Sequence, residues 1–386
     1  MRILHVVPSY LPALRYGGPI ISVHGLCKAL AGRGHDVHVF TTNVDGDGES
    51  PVPTGIPVDL EGVKVWYFPV PVLRRLYWSP LMKTALDKQM SGFDVLHTHS
   101  VFLWPTWAAA RVAKSRRVPY FLAPRGMLVR DLIQRKSHWL KSAWIKLIES
   151  RNLADAASIH VTSPLEAEEL RNLGLRLPEI ALVPNGVDIM KPAEASAPAA
   201  ELQNPPSQPY LLFIGRINWK KGLDRLILAL AHMPGTRLLI AGNDEESYRP
   251  VLEALAAGHG VTPQLCFLGP VYGAQKALLL ERATALVLPS YSENFGNVVL
   301  EAMAAGCPVA LTAEVGAADI VRKSGAGIIV PGEPQAMAKA LSELACNPAR
   351  RGQACVAAEY SWEAVARAME VAYLRILRTT NRESWR

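Results

Sequence analysis

The chain has 386 residues, 49% hydrophobic and 19% charged, with a net charge of +7. That is more than one hydrophobic core ordinarily organises and too little charge for extended disorder, so two globular domains are expected. No apolar run reaches the roughly 18 residues of a membrane span, the opening MRILHVVPSYLPALRYGG lacks a cleavage site and reads as a strand rather than a signal peptide, and the cytoplasm is the expected compartment. Five scattered cysteines, Cys27, Cys266, Cys307, Cys346 and Cys355, form no CxxC pair and leave an odd count. They are expected to be ordinary buried thiols rather than a disulfide framework or a zinc site. The excess of basic charge favours anionic partners, with nucleic acid, acidic membrane and phosphorylated small molecules all open on this ground alone.

Short β-branched runs alternate with helical stretches along the chain, the pattern of parallel sheets with crossover helices. Strands are expected to begin near Ile3, Val37, Val63, Val95, Tyr120, Ser158 and Ala181, and in a second series near Tyr210, Arg237, Leu265, Ala285, Val309 and Gly327. The Ala- and Pro-rich stretch 191–209 between them has no apolar period and reads as a linker. Two doubly wound domains, 1–190 and 210–360, are expected to face a common cleft. Residues 361–386 should form a last helix, with Ser361 as N-cap and Trp362, Val365, Ala366, Met369 and Tyr373 on one face. Its expected course is back to the first domain.

In chain order, the first chemical signal is Gly17-Gly18 after the first strand, a pair that allows tight backbone approach at a helix start without completing a GxGxxG motif. Gly32-Arg33-Gly34-His35 reads as the end of that helix. Asp45-Gly46-Asp47 imitates a metal-binding DxD, but it sits in a glycine-rich polar loop and fails as an EF-hand at position twelve, which is Thr54. In DVLHTHS (94–100), His97 and His99 share one side of a strand by the two-residue period. With no third ligand nearby in sequence, zinc is not expected. APRGML (123–128) puts Arg125 at the carboxyl end of a strand, the edge where a doubly wound sheet binds ligands, and a structural salt bridge is the alternative role.

The segment LIQRKSHWLKSAWIKLIES (132–150) mixes Arg135, Lys136, Lys141 and Lys146 with Trp139, Leu140 and Trp144. This suits the surface of an anionic membrane; an ordinary amphipathic helix with a charged outer face fits equally well. VPNGVD (183–188) places Asn185-Gly186 in a turn between the domains.

The second half is more specific. YLLFIGRINWKKGLDRLILAL (210–230) sets Arg216 at a strand end and Lys221 just before a helix, two cations suited to a diphosphate. SYSENFGNVVLEAMAAGCPV (290–309) reads as a polar turn after a buried strand, followed at once by a helix whose N-terminus is a ready anion site. Gly296 lets a ligand approach the backbone, and Glu293 and Glu301 can converge on vicinal hydroxyls.

Glu293-x7-Glu301 with FGNVVLEAMAAGCPV resembles the EX7E signature of glycosyltransferase family 4, a retaining family with the GT-B fold, and the likeness extends over nearly the whole chain. By that resemblance the fold is α/β, with two Rossmann-like domains across a cleft. The co-substrate would be a nucleoside-diphosphate sugar, the acceptor a glycan or lipid-linked sugar, and no cofactor or metal would be needed. Arg216 and Lys221 would bind the donor phosphates, Glu293 the donor sugar, Glu301 the ribose. The backbone of Asn294, Phe295, Gly296, Asn297 and Val298 would contact sugar and diphosphate. Gly17 and Gly18 would approach the diphosphate, the turn ending at Val271 would lie by the base, and His99 would face the donor sugar, with His97 and Arg125 as further contacts to donor or acceptor. Expected partners include an anionic membrane surface at its inner face and exclude nucleic acid. A sugar phosphorylase or glycosidase using the carboxylate pair, and a non-catalytic sensor binding nucleotide sugars or polyanions, are the rival readings.

Overall fold

A computed structural model describes residues 1–129, 142–189, 208–244, 246–346 and 352–383. The chain divides into two compact units, Met1–Gly186 with Trp362–Arg386, and Val187–Ser361. The expected linker falls almost entirely outside the described residues, and the first unit closes at Gly186, a few residues before the expected boundary at 190.

Unit 1 is built on an eight-stranded sheet. In chain order its strands are β1 (Arg2–Val6), β2 (Asp36–Thr42), β5 (Pro57–Leu60), β6 (Val63–Phe68), β7 (Val95–His99), β8 (Tyr120–Ala123), β9 (Ser158–Val161) and β10 (Ile180–Leu182), with a small hairpin, β3 (Val44–Asp45) and β4 (Gly48–Glu49), outside it. The spatial order is β10-β9-β8-β7-β1-β2-β6-β5. Every pairing is parallel except that of the edge strand β5 on β6. Strands covered on both faces read as largely apolar runs, which is why β1 and β8 show so plainly in the sequence. Their starts fall within one residue of expectation. β5 and the hairpin have no such run and were not foreseen.

The helix α1 (Gly18–Gly32) follows β1 and ends where the Gly32-Arg33-Gly34 signal places its stop. The last helix, Trp362–Glu383, belongs to unit 1 and packs on α1. Val365, Ala366, Met369 and Tyr373 are buried on its inner face, and Arg33 pairs with Glu363 and Glu370, both at 2.6 Å. Trp362 lies so close to Gly25 and Gly186 that a Cβ on either would come within 2.2 Å and 2.5 Å of its indole. These two glycines are therefore packing positions.

Unit 2 carries a six-stranded parallel sheet: β11 (Tyr210–Ile214), β12 (Arg237–Ala241), β13 (Leu265–Gly269), β14 (Ala285–Leu288), β15 (Val309–Leu311) and β16 (Gly327–Ile329), in the order β13-β12-β11-β14-β15-β16. Here all six strands begin at the expected residue.

The order of each sheet locates its binding edge. In an open parallel sheet, ligands bind beyond the carboxyl ends of the strands where the winding direction reverses. In unit 1 the reversal lies between β1 and β7, and in unit 2 between β11 and β14. Among the described residues no helix is long and apolar enough to cross a membrane. Cys27 and Cys307 are buried free thiols, but Cys346 is exposed at a helix end, against the expectation that all five are buried.

Candidate functional site

At the reversal point of unit 2 the chain leaves β11 through Gly215 and the exposed Arg216. It then turns through Trp219–Lys221, where the Asn218 side chain accepts from the Lys220 amide at 3.1 Å. Gly222 follows at φ +63, and a Cβ there would lie 2.0 Å from the Pro289 carbonyl oxygen; only glycine allows that approach. The Tyr291 amide donates to the Lys220 carbonyl at 2.7 Å. The turn after β11 is thereby fastened to the loop after β14, and Lys221 meets Glu293 in an ion pair.

The loop itself is braced by the segment after β15. Glu293 N–H donates to Glu314 O (3.1 Å), Gly316 N–H to Glu293 O (2.9 Å) and Ala317 N–H to Phe295 O (2.9 Å), while the Thr312 hydroxyl donates to Ser290 O at 2.7 Å. Gly296 at φ +86 then starts the helix Asn297–Ala304. Asn294, Asn297 and Val298 stay partly exposed beside it, and Phe295 anchors the turn in the core. Glu301, one turn into this helix, pairs with Lys276 of the helix Gly273–Arg282. No sequence spacing links Lys276 to Glu301, and only the packing of the two helices brings them together.

The site thus holds two lysine–glutamate pairs, all four side chains 16% to 26% exposed. Arg216 makes no ion pair among the described residues. Two matched ion pairs and one surplus cation, all at least partly open to solvent, can exchange partners with an incoming anion at modest desolvation cost.

A cavity of about 380 Å³ adjoins at the carboxyl ends of β11 to β13, lined by Gly242, Asn243, Asp244, Gly269 and Pro270 among others. The Arg249 guanidinium lies 4.5 Å from the Phe267 ring centre in its wall. Gly269 and Pro270, from the turn expected by the base, line this cavity, whereas Val271 is buried in the hydrophobic core. Gly242 passes so near β11 that a Cβ would come within 1.8 Å of Gly215 O.

Unit 1 presents different chemistry at its reversal point. His97 and His99 stack at 4.2 Å between ring centres, and the third imidazole that the sequence spacing did not supply comes from the neighbouring strand, as His5 pairs in register with His97. His160 on β9 is a fourth. All four are buried, and burial, aided by the charge of Arg125, lowers their pKa values: His5 and His160 to about 3, His97 and His99 well below the usual range. They are neutral at physiological pH.

Neutral rings make the proton positions deducible. His160 Nε2 lies 2.8 Å from Val183 O, and a carbonyl only accepts, so His160 carries its proton there and its Nδ1 accepts from His97 Nε2 at 3.2 Å. His97 Nδ1 then accepts from the Tyr373 hydroxyl at 2.7 Å. On the other branch, Arg125 Nη2 donates to His99 Nδ1 at 3.1 Å. His99 Nε2 in turn donates to His5 Nδ1 at 3.0 Å, and the His5 proton sits on Nε2, which is buried without a partner. His5, His97 and His99 have the spacing of a metal triad, but in this arrangement each ring's lone pair is already engaged.

Arg125 also donates to Asn185 Oδ1 at 2.9 Å through Nη1. The structural salt bridge weighed for Arg125 does not appear among the described residues. Gly17 has φ +74 and caps the start of α1, with Gly18 as its first residue. Asp45 pairs with Arg15 at 2.8 Å, and Arg74 donates to the Gly46 carbonyl at 3.1 and 3.2 Å, so the Asp45-Gly46-Asp47 loop is tied down by arginines. Of the basic segment 132–150, Arg135, Lys136, Trp139, Leu140 and Lys141 lie outside the described residues. The remainder contains a π-helix, Ile145–Glu149, with Lys146 and Leu147 exposed.

Comparison with known proteins agrees with this architecture. Residues 198–362 match the model of glycosyl transferases group 1, and residues 17–186 match the glycosyl transferase 4-like domain. A glycogen synthase of Mycobacterium tuberculosis is 30% identical over 408 residues, 97% of this chain and 94% of that protein. A D-inositol 3-phosphate glycosyltransferase of Xylanimonas cellulosilytica is 29% identical, over 92% and 90% of the two chains. Among solved structures, sucrose-phosphate synthase from Thermosynechococcus elongatus superposes with a TM-score of 0.78 at 24% identity, covering 98% of this chain and 100% of that one. HepE of Anabaena, solved with UDP and glucose, superposes with a TM-score of 0.73 at 19% identity over 96% and 99%. The parallel sheets, the two matched domains and these relatives together place the chain among the glycosyl transferases of group 1, with the GT-B fold.

Proposed function

We propose that the protein is a retaining transferase that moves a sugar from a nucleoside-diphosphate donor to an acceptor hydroxyl without a metal ion, in the assembly of a polysaccharide or glycolipid. The observation that carries this reading is the cluster at the reversal point of unit 2: Arg216, the Lys221–Glu293 pair and the Lys276–Glu301 pair. A diphosphate entering there takes Lys221 and Arg216 as counter-charges. Glu293, released from Lys221, becomes an acceptor for sugar hydroxyls, and Glu301 does the same for the ribose diol. The adjoining cavity, with its Phe267 and Arg249 wall, is of a kind that receives a flat base. HepE of Anabaena has been solved with UDP-glucose, which supports a nucleotide sugar as the donor class.

In the proposed reaction the bond between the anomeric carbon and the diphosphate oxygen breaks, the acceptor oxygen bonds to that carbon on the same face, and the acceptor proton passes to the departing phosphate. Lys221 and Arg216 stabilise the charge that builds on the leaving group, the role a metal serves in other transferases. His99 takes no part in proton transfer in this reading, because its ring is neutral and both nitrogens are engaged.

A thermal-shift screen with UDP, GDP and ADP and their sugars tests the donor class, since a ligand that binds only the folded state raises the melting temperature. One nucleotide should stabilise the wild type and fail to stabilise K221A. Stabilisation by none of them, or equal stabilisation of K221A, would overturn the proposal. Proton NMR of the product's anomeric configuration tests retention, and full activity in EDTA tests independence from metal.

A further inference from the structure

Arg125 is an unusual cation. Its backbone is left-handed at φ +56 and is followed by Gly126 at φ +71, a costly conformation for a residue with a side chain, and one found preferentially where a functional group must be aimed. The turn is held in place: the Gly126 amide donates to Glu166 Oε1 at 2.8 Å. The guanidinium has only neutral partners, His99 Nδ1 and Asn185 Oδ1. Among the described residues no carboxylate lies within ion-pair distance. Glu166 is the acid whose charge acts on it most, but its oxygens accept from Gly126 N–H, Thr162 N–H and the Thr162 hydroxyl. Three of the five guanidinium protons are accounted for by His99 and Asn185, and two are left over.

The rest of the cluster repeats the imbalance. The branch that starts at Arg125 runs through His99 to His5 and ends on a buried N–H with no acceptor. A buried donor left unmet is destabilising, because it has given up water and gained no acceptor. This end of the sheet therefore has more donors than acceptors and one charge more than its immediate contacts neutralise.

We propose that Arg125 is an anion-binding residue of unit 1, taking a phosphate or carboxylate group carried by the sugar acceptor. The attribution to the acceptor rests on the proposed donor site, since the diphosphate already has Arg216 and Lys221 in unit 2. His99 and Asn185 orient the planar guanidinium from one side and leave the remaining N–H groups for a bidentate contact.

Inorganic phosphate is the probe, titrated calorimetrically into the full chain carrying K221A, so that the anion site of unit 2 contributes little. Adding Arg125→Met should weaken phosphate binding at least tenfold, and unchanged binding would overturn the proposal. UDP titrated into R125M alone separates the two sources: affinity within about threefold of wild type is expected, and a loss as large as that in K221A would assign Arg125 to the donor. Should the Met variant fail to fold, nitrogen-15 spectra of histidine-labelled wild type decide the matter. The His99 Nδ1 resonance, assigned through His99→Gln, should move with phosphate, and a stationary resonance would refute the contact. Failure of wild type to bind any nucleotide would remove the donor reading of unit 2 and leave the phosphate comparison to be read separately.

Discussion

The two reversal points solve opposite electrostatic problems. Unit 2 keeps its charges partly exposed and paired, Lys221 with Glu293 and Lys276 with Glu301, so that a ligand can trade partners with them. Unit 1 buries four imidazoles, keeps them neutral and fixes their protons from the Val183 carbonyl at one end and the Arg125 guanidinium at another. A site that must bind a highly charged ligand gains from charges that rearrange cheaply. A site that must hold its shape gains from neutral hydrogen bonds in a dry interior, where each bond is stronger and each missing one more costly.

The largest contrast should appear in acid. The buried rings of His5 and His160, with pKa values of about 3, are neutral in the folded state, while in the unfolded chain they titrate near about 6.5. The unfolded state therefore binds more protons below that pH. Their contribution is intact above about pH 6.5 and is lost progressively as pH falls toward about 3. At about pH 5 each ring removes about 2 kcal/mol from the stability of unit 1, about 4 kcal/mol for the two. Hydrogen exchange should show β1 and β9 losing protection at pH 5 well before β11 and β12, since the described histidines of unit 2, His232 and His259, are exposed. Equal losses in both units would erase the distinction.

Next in size is the effect of removing a phosphate counter-charge. Lys221→Ala should reduce kcat roughly 100- to 1,000-fold, in the range of other losses of electrostatic stabilisation, with about 3 to 4 kcal/mol lost in the transition state. Initial rates with the nucleotide sugar found in the thermal-shift screen provide the measurement. Glu301→Gln should act on binding instead. Nucleotide affinity measured by calorimetry should fall about tenfold or more, equivalent to about 1.5 to 3 kcal/mol for a charge-assisted hydrogen bond, with kcat changed much less. A matching drop in kcat would mean that Glu301 does more than hold the ribose. The smallest effect is expected at Asp47, exposed in its arginine-tethered loop. Asp47→Ala should leave the rate within about twofold and insensitive to EDTA, and a metal-dependent change would reopen the DxD reading.

What the sequence reveals follows the same division. The strand starts and the loop around Glu293 are legible because they depend on local pattern: apolar runs buried on both faces, a polar turn, and glycines that permit close approach. The chemistry of unit 1 is less so. His97 and His99 are two residues apart and visible as a pair, but His5 and His160 join them only because β1 lies beside β7 on one side and β9 lies just beyond β8 on the other, and strand order is not written in spacing. Lys276 escapes notice for the same reason, since its partner Glu301 lies on a different helix. Edge strand β5 lacks the double-sided burial that marks the others, and its residues alternate in exposure instead.

The last helix has a consequence for how the molecule is made. Val187 and Ser361 form a parallel bridge, with Val187 N–H donating to Tyr360 O at 2.9 Å, so the chain enters and leaves unit 2 through one doorway, and all of unit 2 is a single excursion from unit 1. During synthesis residues 1–186 must wait while the whole excursion emerges, because Tyr373, which packs on Phe121 and donates to His97, follows unit 2 in the chain. Until then the imidazole cluster lacks one wall, and a ribosome stalled within unit 2 would hold a nascent chain whose earliest-made half is the one still incomplete.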